Sequence, residues 1–148
     1  DLHSFPTRRS SDLHIAIGTL TPALTQPPSQ LAAIPDPAGS GPLEQRARAW
    51  LHSNCAYCHR PGGPTPADLD LRFTTALNAT GTCNVAPSLG DLGIANARLI
   101  APGSAATSIV VNRANRRDSN GMPPLATHRV DTDGVALLTQ WVNSLTGC

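Results

Sequence analysis

The chain has no lysine, and its 11 basic residues nearly balance its 10 acidic residues, which leaves a formal net charge of +1. Aromatic residues make up only 3% of the 148 residues. No apolar run reaches the roughly 20 residues of a membrane helix, and no signal peptide is visible. The balanced charge gives no indication of nucleic-acid binding. So few large side chains predict a thin core, which a buried flat apolar cofactor would help to fill.

The beginning of the chain differs in kind from the rest. Residues 1–13, DLHSFPTRRSSDL, match one reading frame of a short-read sequencing adapter over their whole length. We therefore interpret residues 1–13 as an assembly artefact and exclude them from fold reasoning; an ordinary disordered terminus is the alternative. We expect the natural protein to extend further upstream, where its signal sequence and a further domain would lie.

Residues 14–41 are rich in proline, threonine, serine and alanine. Their prolines remove amide donors and disfavour helix. We interpret this stretch as a linker or as the remnant of an upstream domain. Residues 42–148 are predicted to form one small all-α domain with long irregular loops.

Helical spacing of apolar residues predicts three helices in this domain. The first begins near Pro42 and runs into a cysteine motif. The second covers about residues 105–116. The third follows an N-cap at Asp131 and carries one apolar stripe: Val135, Leu138, Trp141, Val142 and Leu145. The segments between the helices are predicted to be turn-rich or irregular, with a short turn near Ile94.

The cysteine motif is Cys55-Ala56-Tyr57-Cys58-His59. The spacing C-x-x-C-H is the attachment signature of a c-type haem. Two thiols bond to the porphyrin vinyl groups, and the histidine supplies the proximal iron ligand. Three alternatives remain. A dithiol redox centre is expected in a βαβ context, a zinc site needs a fourth ligand, and a Cys55–Cys58 disulfide would close a very small ring.

Met122 is the only methionine, and it lies in a proline-containing loop before the last helix. A thioether that reaches the distal face gives His/Met ligation, which raises the reduction potential of the iron. The alternative is a methionine that fills a gap in the core. His128 and His52 are the other candidates for the sixth ligand, although we expect His52 on the exposed side of its helix.

With these residues in place, the chain resembles the class I-like cytochrome c domain, in particular the monohaem domains at the C-terminus of larger secreted bacterial proteins. The resemblance covers roughly residues 43–148 and is carried by three segments: ARAWLHSNCAYCHRPGG, GDLGIANARLIAPG and GMPPLATHRVDTDGVALLTQWVNSL. It implies an all-α fold in which the first and last helices cross near the haem edge, with Trp50 and Trp141 in that helix pair. The missing lysines and an extra cysteine depart from a mobile cytochrome c.

The resemblance also implies roles for residues around the haem. A backbone carbonyl within residues 60–63 would orient the His59 imidazole. The guanidinium of Arg98 would pair with a haem propionate; a solvated arginine is the alternative.

Cys83 and Cys148 remain after the haem motif takes its pair. An even number of remaining cysteines in an exported protein suggests a disulfide. Covalent haem attachment in bacteria also takes place outside the cytoplasm. We therefore expect a periplasmic or secreted protein.

The function predicted from these features is electron transfer through one haem c and its iron. The expected partner is a redox protein or a fused upstream domain such as a dehydrogenase. No catalytic base or nucleophile is evident around the motif, so we do not expect an enzyme. The alternatives are a peroxidase-like enzyme with an open iron, a haem-based sensor with a labile sixth ligand, and a purely structural haem.

Overall fold

The computed structural model describes residues 24–27, 30–125 and 127–148, and the chain divides into two units, Asp1–Ala33 and Ile34–Cys148. The adapter prediction for residues 1–13 lies outside the described residues. In the first unit, the side-chain amide of Gln26 donates to the carbonyl of Gln30 at 3.2 Å. The interpretation of residues 14–41 as a linker or remnant stays a prediction.

The second unit is helical, with long connecting loops. Its described α-helices are α1 (Leu43–Cys55), α2 (Ile109–Ala114) and α3 (Thr132–Ser144), and single 3-10 turns cover Leu77–Ala79 and Ala105–Thr107. The described residues contain only isolated β-bridges. The all-α class is therefore confirmed, whereas the cytochrome c-like fold remains a prediction. None of the described helices is long and apolar enough to cross a bilayer.

The second helix is shorter than the sequence predicts. Residues 105–116 were expected to be continuous, but Ser108 is extended, with φ −91° and ψ 113°, between a 3-10 turn and α2. The Ser108 hydroxyl accepts from the Ala101 amide at 2.8 Å and donates to the Ser104 carbonyl at 2.8 Å. Serine side chains compete with helical hydrogen bonds in this way, so the buried hydroxyl separates the two helical pieces.

Helices α1 and α3 pack against each other at Gly134. The Trp50 indole lies so close to Gly134 that any side chain there would overlap it. Trp50 Nε1 donates to Asp131 Oδ2 at 2.7 Å, and Asp131 Oδ1 accepts from the Gly134 amide at 2.9 Å. These two hydrogen bonds, the Gly134 amide first, lower the pKa of Asp131. The predicted N-cap is confirmed, and it also joins the two helices.

The core lies between α1, α3 and the loops that connect α1 to α2. Trp50 and Trp141 both belong to it, at 6% and 1% exposure, as expected for the helix pair. Val135 and Leu145, at the two ends of the predicted stripe, are only partly buried. Leu137, which lies off that stripe, is buried. The reason is that α3 contacts α1 on one side and the 3-10 turn Ala105–Thr107 on another, so its buried face is wider than one stripe.

Cys83 and Cys148 lie within disulfide distance, with their Cα atoms 6.2 Å apart. This separation is in the range that protein disulfides span. The segment around Cys83 is itself held in place, because the Asn84 amide donates to the Ile100 carbonyl at 2.8 Å. Cys148 therefore lies beside Cys83, as the predicted pairing of these two cysteines requires.

Replacing Gly134 with alanine is expected to lower the free energy of unfolding by about 1–3 kcal/mol, since the new methyl group overlaps the Trp50 indole. Urea unfolding followed by tryptophan fluorescence measures the change. Gly147→Ala is the matched control, because a Cβ at Gly147 meets nothing within 4 Å. Equal midpoints for the two variants would show that the crossing is not tightly packed.

The Cys83–Cys148 pair is expected to be oxidised in protein exported to the periplasm. Mass spectrometry of a non-reduced digest should recover the two cysteine peptides as one cross-linked species. The double variant Cys83→Ser/Cys148→Ser should lose about 2–4 kcal/mol of stability, because the bridge restricts the unfolded chain. Recovery of both thiols in the free form would contradict the prediction.

Candidate functional site

The cysteine motif forms the turn that ends α1. The amides of Cys58 and His59 both donate to the Cys55 carbonyl, at 3.1 and 2.9 Å. Ala56 is buried in the core, whereas Tyr57 is 78% exposed. Cys55, Cys58 and His59 are partly buried. The turn thus directs the aromatic residue to solvent and keeps the three reactive residues against the protein.

The Cys55 thiol is disfavoured as a thiolate. Burial, with an added contribution from the neighbouring Cys58, raises the pKa of Cys55 to about 12. The motif also lies at the C-terminal end of α1, where the helix dipole disfavours negative charge. Catalytic dithiols need the opposite, a lowered pKa such as a helix N-terminus provides. The site therefore does not fit a dithiol redox centre.

The other two alternatives are also unsupported by the geometry. In the part of the chain that the structure describes, no three histidine, cysteine or acidic side chains are grouped so that they could hold a metal ion. Cys55 and Cys58 are both free thiols rather than a disulfide.

The His59 imidazole is not used by the fold. Its Nδ1 is buried and has no hydrogen-bond partner among the described residues, and burial lowers the pKa of His59. A buried nitrogen without a partner costs about 1–3 kcal/mol, so this ring nitrogen stays available to a group that binds there. The neutral imidazole is the form that binds metals. The residues of the motif therefore fit a c-type haem.

The expected hydrogen bond from a carbonyl of residues 60–63 to His59 is absent, so that prediction is wrong. The Gly63 amide donates to the Arg60 carbonyl at 2.9 Å, which closes a turn. Gly63 lies so close to the Cys58 carbonyl that a side chain would overlap it. The segment folds back over Cys58 rather than across the imidazole. His59 is instead held through its own carbonyl, which accepts from the Leu71 amide at 2.9 Å.

Side chains of α1 hold the loop that contains Leu71. Arg48 Nη2 donates to the Phe73 carbonyl at 2.8 Å and also to the Thr75 carbonyl. His52 Nδ1 accepts from the Phe73 amide at 3.1 Å. His52 is partly buried, so its expected exposed position is wrong. Because its Nδ1 is engaged, His52 is also a poor candidate for an axial ligand.

An ion pair that sequence reasoning missed braces the same loop. Arg72 Nη2 donates to Asp70 Oδ2 at 2.6 Å, and Thr75 Oγ1 donates to the same oxygen at 2.8 Å. The Arg72 hydrogen bonds, above all, hold the pKa of the Asp70 carboxyl far below its ordinary value. The alternation of two polar residues around the buried Leu71 is the one signal in the sequence that would have indicated this pair.

Met122 is placed by α2 and by the chain just after it. The Met122 amide donates to the Arg113 carbonyl at 2.9 Å, and its carbonyl accepts from Arg117 Nη1 at 3.3 Å. Met122 is partly buried, and His128, in the same loop, is exposed. The two predicted axial ligands are thus positioned independently, His59 by the end of α1 and Met122 by the end of α2.

Arg98 is partly buried and lies in the segment between the two 3-10 turns. Its Nη1 donates to the Ala97 carbonyl at 2.9 Å. Its backbone pairs with the start of α2, because the Ile109 amide donates to the Arg98 carbonyl at 2.8 Å. The ion pairs of the described residues do not include Arg98. The propionate contact stays a prediction, and within the described part of the chain this guanidinium has no carboxylate partner.

The stability of the fold is expected to decrease as the pH is lowered, because of Asp70. A carboxyl with a lowered pKa in the folded protein stabilises the fold above its unfolded pKa of about 3.9 and loses this effect as pH falls through the folded pKa. Urea unfolding at pH 7, 4, 3 and 2 should therefore show a weaker dependence on pH in Asp70→Asn than in the wild type. Asp68→Asn changes an exposed carboxyl of the same loop and should behave as the wild type does. Parallel curves for all three proteins would contradict this account.

Comparisons with known proteins do not place the chain in a family: no family model, curated protein or solved structure matches it. The residues of the site are therefore the guide to its function. They are a turn at the end of a helix with two free cysteines, an imidazole that the fold does not use, and a methionine anchored by its backbone.

Proposed function

We propose that this chain is an electron-transfer protein that carries one c-type haem, attached through Cys55 and Cys58 and ligated by His59 and Met122. The observation that carries the proposal is the motif turn. It presents two free thiols one turn apart, followed by a partly buried imidazole whose Nδ1 has no hydrogen-bond partner among the described residues. Attachment of a haem would use both thiols, and the histidine that follows them would supply an imidazole nitrogen to the iron.

The residues of the chain have separate tasks in this proposal. A bound haem supplies an iron that alternates between ferric and ferrous states. Cys55 and Cys58 fix the porphyrin to the end of α1, and His59 offers a neutral ring nitrogen as proximal ligand. The thioether of Met122 supplies the weak distal ligand that favours the ferrous state. Arg98 supplies positive charge for a propionate.

Met122 lies in the loop between α2 and α3, which we call the methionine loop. The hydrogen bonds of its backbone favour a stable sixth ligand over an iron with an open coordination position. Both polar backbone groups of Met122 are hydrogen-bonded, to Arg113 and Arg117. A loop that is anchored on both sides of the ligand loses little conformational entropy when the ligand binds. This supports an electron carrier rather than a peroxidase-like enzyme or a ligand-exchange sensor, which need a position that opens.

Two features support an extracytoplasmic location for this activity. Covalent haem attachment in bacteria takes place outside the cytoplasm, and the disulfide distance between Cys83 and Cys148 suits an oxidising compartment. The partner would be a redox protein or a domain fused upstream. With a formal net charge of +1 and no lysine, association with that partner should depend only weakly on salt.

Expression of the full chain with a c-type maturation system in a bacterial periplasm should yield covalent haem that stays with the protein in a denaturing gel. Cys55→Ala and Cys58→Ala should each lose one of the two thioether bonds. The Cys83→Ser/Cys148→Ser variant is the matched control, because it removes two cysteines but should keep the haem. Recovery of folded wild-type protein without covalent haem would refute the proposal.

Replacement of Met122 with alanine should remove the sulfur-to-iron charge-transfer band of the ferric protein, lower the reduction potential and allow carbon monoxide to bind the ferrous form. Leu125→Ala changes a residue of the same loop that is 77% exposed, and it should leave the band intact. Ready binding of carbon monoxide by the wild type would favour the open-iron alternative instead.

A further inference from the structure

Arg117 follows α2 and reaches several carbonyl groups at once. Its Nη1 lies within hydrogen-bond distance of three carbonyl oxygens, those of Arg116 at 2.5 Å, Ala114 at 3.0 Å and Met122 at 3.3 Å, of which the last is the longest contact. Its Nε donates to the Arg129 carbonyl at 3.0 Å. One guanidinium therefore donates hydrogen bonds to the end of α2 and to two points of the loop between α2 and α3. These points, Met122 and Arg129, lie on the two limbs of that loop, before and after its tip.

The span of these contacts gives Arg117 a particular role in the loop. Met122 and Arg129 lie on the two limbs, and the prolines between them leave few backbone amides to close the loop by itself. The two limbs have no hydrogen-bonded ladder among their described residues. The planar fork of arginine donates in two directions from a fixed geometry, which a lysine ammonium does not reproduce. Among the described residues of this loop, Thr127 Oγ1 donates to the Pro123 carbonyl at 3.1 Å, and Arg117 adds the bonds that join Met122 to Arg129.

Arg113 completes the anchoring on the other side. Its carbonyl accepts from the Met122 amide at 2.9 Å, and its Nη1 donates to the Asn120 carbonyl at 3.0 Å. Its Nη2 donates to the Leu89 carbonyl at 2.9 Å. The peptide groups before and after Met122 are therefore both fixed, and only the side-chain rotations of the methionine remain free.

We infer that Arg117 is a positioning residue for the sixth ligand: by joining the carbonyls of Met122 and Arg129, it holds the thioether where it can stay bound. The inference rests on the proposed function, because it needs a haem whose iron Met122 ligates. A thioether is a weak ligand, so its occupancy depends on how strongly the loop is held in the bound conformation. The guanidinium itself does not touch the iron.

The test is competition between Met122 and added imidazole for the ferric iron in the full-length haem protein. Arg117→Ala removes the hydrogen bonds that a charged donor makes to both limbs, and its affinity for imidazole should rise about tenfold or more. Arg129→Ala is the matched control. It removes one positive charge from the same loop but leaves the backbone carbonyl that Arg117 uses, so its affinity should stay within about twofold of the wild type.

A second control separates positioning from stability. Cys83→Ser/Cys148→Ser removes the cysteine pair beyond the other end of α3, so it lowers stability away from the loop and should leave imidazole affinity unchanged. If this double variant raises the affinity as much as Arg117→Ala does, or if Arg117→Ala has no effect, the inference is overturned. Arg117→Lys, which keeps the charge and loses the fork, should resemble Arg117→Ala; full rescue by lysine would also overturn it.

A further measurement does not need the haem. In the full chain without haem, hydrogen exchange of the Gly121 and Met122 amides should be faster in Arg117→Ala than in the wild type and unchanged in Arg129→Ala. Unchanged exchange in Arg117→Ala overturns the role of Arg117 in the loop. Normal loop protection together with absence of covalent haem in the wild type overturns the proposed function instead, so the two failures are distinguishable.

Discussion

The hydrogen bond from Trp50 Nε1 to Asp131, made across the bare Cα of Gly134, is the contact on which the rest of the domain depends. It joins α1, which ends in the cysteine motif, to the first turn of α3, which follows the methionine loop. A hydrogen bond to a partly exposed carboxylate contributes about 1–2 kcal/mol, and the N-cap that Asp131 forms adds about 1 kcal/mol. The two segments that carry the proposed iron ligands therefore meet through one side chain.

Arginine side chains hold the loops that this helix pair leaves without secondary structure. Arg48, Arg113 and Arg117 each donate to two or more backbone carbonyls of the loops. Buried or partly buried carbonyls need a partner, and a planar fork serves two of them at once. All basic side chains of the chain other than histidine are arginines. Several of them stabilise loops by hydrogen bonds to backbone carbonyls, a task for which the planar guanidinium is better suited than a lysine ammonium.

Sequence patterns located the helices well where local chemistry decides the outcome. The 3.6-residue period and the capping aspartate placed α1 and α3 close to their observed bounds, because both signals act within a few residues. The second helix was predicted too long, since the Ser108 hydroxyl bonds to Ala101 and Ser104. The surroundings of His59 and His52 were also misjudged. Their partners come from residues 60–73, whose path depends on the turn at Gly63 and on Arg48, and no periodic pattern reports such contacts.

By itself, the sequence determined the all-α class, the cysteine motif at a helix end, the capping aspartate and the candidate methionine, because each follows from spacing or from a single residue type. Only the tertiary structure decided how these parts are held. It brought Cys83 to Cys148, set Trp50 on Gly134, left the His59 Nδ1 without a partner among the described residues and gave Arg117 hydrogen bonds to Met122 and Arg129. Each of these features depends on how helices and loops pack in three dimensions, which no local signal in the sequence encodes.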